Sequence, residues 1–88
     1  MRYRIRVFGR VQGVYYRKST QLKAQSLGLT GYVKNEMEGS VLIEAEGLKQ
    51  GLDELLNWTK IGPEMASVTN VVCHEIPNQD SLDFELRY

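Results

Sequence analysis

The chain has 88 residues, of which 42% are hydrophobic and 25% are charged. This length suits one domain and excludes a two-domain enzyme, because natural domains commonly contain about 100 to 150 residues. Eleven basic side chains balance eleven acidic ones, so the chain lacks the net positive charge that binding to a nucleic-acid backbone normally needs.

The cysteine content and the hydropathy pattern restrict the compartment. Cys73 is the one cysteine of the chain and cannot form an internal disulfide, which excludes a small disulfide-stapled scaffold and predicts a cytoplasmic protein. No signal-peptide pattern is present, and no apolar run approaches the about 18 residues of a membrane-spanning helix. We therefore expect a single domain over residues 1–88 that binds neither nucleic acid nor membrane.

The first third of the chain predicts a strand, a loop and a helix. Hydrophobic and polar residues alternate from Tyr3 until the strand ends at Gly9, which is typical of a half-buried strand with its arginines on the polar face. The segment Gly9–Gly13 is predicted to be a tight loop, because glycine adopts positive φ without strain. A helix is predicted from about Val14 to Leu27, and Gly28 supplies the left-handed cap that ends it.

The remaining elements complete a β-α-β-β-α-β order with an additional terminal strand. They are an antiparallel pair of strands over Leu29–Lys34 and Ser40–Glu46, a helix from Leu48 to about Lys60, a strand over Val68–Glu75 and a short strand over Leu82–Arg87. This order predicts an α+β, ferredoxin-like split βαβ sandwich, in which an antiparallel sheet carries two helices on one face.

The junction between the first strand and the first helix predicts an anion-binding pocket. Backbone N–H groups of the loop and the positive end of the helix converge there, and Arg17 in the first helical turn can grip two phosphate oxygens at once. The same residues also fit a plain turn beside a solvated arginine. Lys18 and Ser19 do not directly follow a glycine, which excludes a nucleotide-binding P-loop.

Two longer motifs resemble the signatures of the acylphosphatase family. The first is Val-Phe-Gly-Arg-Val-Gln-Gly-Val-Tyr-Tyr-Arg over residues 7–17, and the second is Gly-Tyr-Val-Lys-Asn over residues 31–35, followed by Gly39, Val41 and Gly47. The span from the first to the last of these residues, 7–47, is about half of the chain. Tyr16 stands where family members more often carry Phe or Met, and its hydroxyl needs a partner if it is buried.

The resemblance implies a metal-independent hydrolase that converts acyl phosphates to carboxylate and inorganic phosphate without a cofactor. It implies that Arg17 binds the phosphoryl oxygens and that Asn35 positions the attacking water. Main-chain amides of a phosphate-binding loop complete the cradle, and that loop consists of Arg10, Val11, Gln12, Gly13 and Val14. Without the resemblance, Asn35 is interpreted as a turn residue that opens the hairpin.

Other residues and functions have weaker support. His74 has no second histidine or cysteine at metal-ligand spacing, so we expect a half-exposed strand residue, and we expect Cys73 to be a small core residue. One alternative function is a binding module, since acylphosphatase-like domains also occur inside larger carbamoyl-phosphate-handling proteins of hydrogenase maturation. Another is an RNA-binding ferredoxin-like domain, which the charge and the aromatic placement disfavour. We expect a stand-alone, monomeric enzyme.

Overall fold

The computed structural model describes all 88 residues and contains two helices and five strands. The strands are β1 (Arg2–Arg10), β2 (Thr30–Asn35), β3 (Val41–Glu46), β4 (Ser67–Ile76) and β5 (Phe84–Arg87), and the helices are α1 (Tyr16–Ser26) and α2 (Lys49–Thr59). Every predicted element is present, and its ends lie within two residues of the predicted ones.

The five strands form one sheet in the order β4-β1-β3-β2-β5. The predicted antiparallel pairing is correct for β1 to β4, but it is wrong for β5, which pairs parallel with β2 and places Arg87 opposite Lys34. The direction of β4 explains the difference. Since β4 runs opposite to β2, a chain that reverses after β4 and then lies beside β2 must run parallel to it. The sheet is therefore mixed, and the predicted ferredoxin-like architecture is confirmed.

Both helices pack on one face of this sheet, where the hydrophobic core lies. Helix α1 contacts β2 and β5, and α2 contacts β1 and β4. The alternation of β1 directs Ile5 into this layer, where Ile5, Ile43, Leu52 and Leu55 are all fully buried. Burial of each such side chain contributes roughly 1.5–3 kcal/mol to stability, so the core fixes the helices on the sheet.

The end of α1 follows the predicted glycine cap. Gly28 has a φ of 71°, and its N–H donates to the carbonyl of Gln25 at 3.1 Å while the N–H of Leu29 donates to that of Ala24 at 3.0 Å. This pair of bonds is the Schellman motif, which satisfies carbonyls that the last helical turn leaves free. The cap stops α1 where β2 has to begin.

Gly9 lies in β1, where the sequence predicted a loop residue. The pairing of β1 with β4 shifts register between Phe8 and Gly9, and a Cβ on Gly9 would lie 2.2 Å from the carbonyl oxygen of Ser67. The glycine is needed for this close approach of two strands and for its φ of 124°. Strand β1 therefore continues to Arg10, and the loop that follows is shorter than predicted.

The opposite face of the sheet carries a network of ion pairs. Arg2, on the face predicted to be polar, is only 1% exposed. Its guanidinium lies 3.1 Å from a carboxylate oxygen of Glu44 and 3.1 Å from one of Glu46, and it donates to the hydroxyl of Ser81 at 2.9 Å. Glu46 also accepts backbone N–H groups from the segment between β4 and β5. The network therefore fastens that segment across the sheet.

The carboxylates of this network have lowered pKa values. Burial by itself raises the pKa of Glu44, but the Tyr32 hydroxyl and the guanidinium groups of Arg4 and Arg2 outweigh it, so the pKa lies below the ordinary 4.5. The pKa of Glu46 is lowered chiefly by the backbone N–H of Gln79. These carboxyl pKa values are lower in the folded than in the unfolded chain. The network therefore stabilises the fold fully at a pH above the pKa of the unfolded chain, and this stabilisation is lost as the pH falls through the pKa of the folded chain.

We predict that the free energy of unfolding falls as the pH is lowered below about 4.5, the ordinary value of these carboxyls. Urea titrations followed by circular dichroism at a series of pH values measure this dependence. Glu44→Gln should weaken it, and should also destabilise the chain at neutral pH because the buried Arg2 loses one of its two charged partners. Glu54→Gln, at an exposed position on α2, is the matched control. An unchanged pH dependence in Glu44→Gln would contradict the prediction.

Candidate active site

An open cleft of about 480 Å³ lies where β1 passes into α1, next to the last residues of β2 and β5. The residues that line it are Val11, Gly13, Tyr15, Tyr16, Arg17, Lys18, Asn35, Leu86 and Tyr88. Two of these carry a positive charge, and none is a carboxylate, a histidine or a cysteine. The cleft therefore favours an anion.

The start of α1 leaves donors free at this cleft. Tyr15 has a φ of 63°, in the left-handed region, so the helix begins at Tyr16, two residues later than predicted. No side chain caps this end, and the first turn has no acidic residue. The first backbone N–H groups and the positive end of the helix dipole are therefore uncompensated by the chain itself.

The loop before the helix adds further donors. The backbone N–H groups of residues 11–15 donate to no other group of the chain. Val11 and Val14 are buried in the core and anchor the loop. Gly13, with a φ of 72°, faces open space, since a Cβ placed on it would have no other atom within 4 Å. The loop is thus fixed on one side and open to a ligand at its backbone on the other.

Arg17 is held in the cleft by the end of the chain. Its Nη1 donates to the carbonyl oxygen of Arg87 at 2.9 Å, and its guanidinium carbon lies 4.8 Å from the ring centroid of Tyr88. This arrangement uses one hydrogen bond and one ring face and leaves the other N–H donors of the guanidinium available. The arginine is therefore oriented before any ligand arrives.

Asn35 is the last residue of β2, opposite Val41 of β3. Its Oδ1 is buried and has no hydrogen-bond partner, and it is the only buried side-chain polar atom of the chain in that state. A buried acceptor without a partner costs about 1–3 kcal/mol. Such an atom in a cleft marks a place for a hydrogen-bond donor from outside the chain.

The structure thus brings Arg17, Asn35, Val11 and Gly13 of the predicted site together at one cleft. It does not bring the side chains of the other predicted loop residues there. Arg10 ends β1 opposite Ser67, Val14 belongs to the core, and Gln12 directs its side chain to the hairpin between β2 and β3.

Sequence reasoning missed Tyr15, Lys18, Leu86 and Tyr88 as cleft residues. Leu86 and Tyr88 reach the cleft because β5 pairs parallel with β2, which the residue pattern did not reveal. The predicted need of Tyr16 for a partner is confirmed, since its buried hydroxyl donates to the carbonyl of Thr59 at 2.7 Å.

The other side chains considered from the sequence lie away from the cleft. His74 is exposed on β4. Cys73 is half-buried against the core, as expected, and its burial raises the pKa of the thiol. Neither helix has the length and apolarity that crossing a membrane requires.

Comparison with known proteins gives matches over nearly the whole chain. The model of the family described as acylphosphatase matches residues 3–86. The chain is 49% identical over 84 residues to an acylphosphatase of Marinobacter nauticus, which covers 94% of this chain and 91% of that protein. The solved structure of an acylphosphatase from Coxiella burnetii has a TM-score of 0.95 at 41% identity, covering 98% of this chain and 90% of that one. That of acylphosphatase from Bacillus subtilis has a TM-score of 0.95 at 35% identity, covering 99% and 98%.

A ferredoxin-like sheet with a cationic cleft beside free backbone amides defines a small α+β protein suited to binding an anion. The comparisons identify its class, because at these identities and coverages the chain belongs to the acylphosphatase family. It is a hydrolase acting on acyl phosphates, as the two sequence motifs predicted.

Proposed function

We propose that Arg17 and the backbone amides of the loop before α1 hold the phosphoryl group of the acyl phosphate, and that Asn35 orients the water that attacks phosphorus. One observation carries this proposal. Asn35, whose buried Oδ1 has no hydrogen-bond partner, lines the same cleft as the Arg17 guanidinium and the loop with its run of unbonded amides. The Asn35 oxygen can accept a hydrogen bond from a water, and the guanidinium and amides can donate hydrogen bonds to a phosphoryl group.

Arg17 and the loop stabilise charge on the phosphoryl oxygens. The guanidinium can form two parallel hydrogen bonds to two of these oxygens, and the amides can bind the remaining one. Because Arg87 and Tyr88 already restrain Arg17, little reorganisation is needed when the substrate binds. Such preorganised donors lower the barrier most where charge develops in the transition state.

Asn35 acts on the nucleophile. Its Oδ1 accepts one hydrogen bond from a water and thereby directs the water oxygen toward phosphorus, in line with the leaving group. As the new bond to phosphorus forms, the bond between phosphorus and the acyl oxygen breaks, and its electron pair leaves with the carboxylate. An uncharged amide orients the water without removing its proton, so the contribution of Asn35 is positional, and both protons of the water leave with the phosphate product.

The chemistry of the leaving group fits the composition of the cleft. A carboxylate with a conjugate-acid pKa of about 4 departs as an anion without protonation, whereas a phenol near 10 requires an acid. No carboxyl, imidazole or thiol side chain lines the cleft, and its tyrosine hydroxyls and Lys18 have no assigned role in protonating the leaving group. We therefore expect the substrate to bring its own good leaving group.

We also propose that the enzyme is a cytoplasmic monomer that needs no metal. All groups assigned a role belong to one chain, so the mechanism requires no second copy. The guanidinium and the amides supply the positive potential that a metal ion provides in other phosphoryl-transfer enzymes. In the reducing cytoplasm, Cys73 stays a free thiol.

We predict that Arg17→Lys lowers kcat by roughly 100- to 1,000-fold, because lysine keeps the charge but loses the two parallel hydrogen bonds. Initial rates with benzoyl phosphate and circular dichroism of the folded variant measure this. Arg10→Lys is the matched control, since its side chain lies outside the cleft and its backbone amide is retained. A folded Arg17→Lys variant with wild-type kcat would remove Arg17 from the mechanism.

We predict that Asn35→Ala lowers kcat by about 100-fold, since a small misplacement of the nucleophile has an effect of that size. The inhibition constant of inorganic phosphate should stay unchanged, because Asn35 binds water and not the phosphoryl group. Asn70→Ala, exposed on β4, serves as control. If phosphate affinity fell in parallel with kcat, Asn35 would be a phosphate ligand instead.

We predict that benzoyl phosphate is hydrolysed at least about 1,000-fold faster than an alkyl phosphate, with aryl phosphates improving as the phenol becomes more acidic. The comparison uses kcat/KM of the same preparation, with the Arg17→Lys variant to exclude a contaminant. The rates are also taken in EDTA, which should leave them unchanged. Comparable rates for ester and anhydride would reveal an acid catalyst, and a loss in EDTA that Mg²⁺ restores would reveal a metal.

A further inference from the structure

The side chain of Gln12 connects two parts of the active site that lie far apart in sequence. Its Nε2 donates one hydrogen bond to the carbonyl oxygen of Glu36 at 2.8 Å and another to that of Ser40 at 2.9 Å. These carbonyls stand at the two ends of the turn between β2 and β3, which is closed by a bond of 2.8 Å from the Glu36 N–H to the Ser40 carbonyl. Both N–H bonds of the Gln12 amide are thus used.

This connection joins the amide loop to the strand end that carries Asn35. The backbone of Gln12 lies between Val11 and Gly13, which line the cleft in the amide loop. Glu36 directly follows Asn35, whose side chain opens on the cleft from the other side. Because an amide is planar and both of its hydrogen bonds are directed, the link fixes a distance and also an orientation.

Apart from the strand pairing and the core, few side-chain contacts join the hairpin that follows Asn35 to the rest of the site. The Oδ1 of Asn35 has no partner, so no hydrogen bond to that oxygen holds the side chain. The ion pair of Arg6 with Glu36, 3.3 Å long, is partly exposed on both sides, and such pairs contribute about 0–1 kcal/mol. The orientation of Asn35 therefore depends on its backbone, and the Gln12 amide ties that backbone to the cradle.

We propose that Gln12 is a positioning residue, whose side chain sets the distance between the phosphate-binding amides and Asn35. In this role the Gln12 side chain contacts neither water nor substrate, since both of its N–H bonds go to backbone carbonyls. Its effect on the reaction passes through Asn35, so this inference rests on the proposed role of Asn35 in orienting water. The consequence is specific: loss of the Gln12 amide impairs catalysis only while Asn35 is present to be misplaced.

A double-mutant cycle tests this consequence with Gln12→Met, which keeps the length of the side chain but has no donor. Alone, Gln12→Met should lower kcat by about 10- to 100-fold, the range found when supporting hydrogen bonds of an active-site group are lost. The inhibition constant of inorganic phosphate should change by less than about twofold, because the amides themselves remain. In an Asn35→Ala background, Gln12→Met should cause almost no further loss of kcat.

Three results are decisive against the inference. Wild-type kcat in Gln12→Met would show that the two hydrogen bonds have no role, and a large rise in the phosphate inhibition constant would show that Gln12 shapes the cradle instead. Full additivity with Asn35→Ala would show that Gln12 does not act through Asn35. By contrast, wild-type kcat in Asn35→Ala would contradict the proposed function itself and remove the basis of this inference with it.

A second variant covers the case in which Gln12→Met does not fold. Gln12→Asn retains both donors on a side chain that is one methylene shorter, so it can reach only one of the two carbonyls. It should give a smaller loss of kcat than Asn35→Ala and the same absence of additivity in the double variant. A loss that adds to that of Asn35→Ala would overturn the inference here as well.

Discussion

The parallel pairing of β5 with β2 is the constraint on which the cleft depends. It places the carbonyl of Arg87 at the guanidinium of Arg17 and the ring of Tyr88 against it. Two further contacts hold β5 there, namely the bond from the Gly31 N–H to the Asp83 carbonyl at 2.8 Å and the Arg87 guanidinium 4.0 Å from the ring centroid of Tyr32. The ion pairs of Arg2 fasten the preceding segment, so contacts on the helix-free face orient a side chain at the start of α1.

Two features of the cleft are energetically unfavourable, and the stability of the rest of the fold compensates for them. Tyr15 adopts a left-handed φ that a residue with a Cβ disfavours by about 1–2 kcal/mol, and the buried Oδ1 of Asn35 stays without a partner. Both lie where a tightly packed core fixes the neighbouring backbone, through Val11, Val14 and Tyr16. Strain and unmet hydrogen bonds of this kind persist only where the surroundings determine the conformation. Here they coincide with residues that line the cleft.

The sequence predicted the element order because its periodicities are local. The alternation in β1, the helical repeat in α1 and the glycine cap at Gly28 each depend on residues a few positions apart. The direction of β5 did not follow from such patterns, since it depends on where the chain crosses the sheet, and the burial of Arg2 depends on the same crossing. Arg17 followed from the predicted junction of strand, loop and helix, and Asn35 from motifs that resemble a family. The side-chain bonds of Gln12 join positions 24 and 28 residues apart and leave no local signal.

The contacts that hold the cleft together differ in chemistry from those on the helix-free face of the sheet. On that face, carboxylates and guanidinium groups hold the chain, and their attraction weakens with acid and with salt. In the cleft, the loop, the hairpin after Asn35 and the end of β5 are joined by the Gln12 amide, by backbone carbonyls and by the Arg17 guanidinium. A neutral amide neither titrates nor attracts counterions. Acid and salt are therefore expected to act on the cleft through the ion pairs that fasten the segment before β5, and not through the Gln12 amide itself.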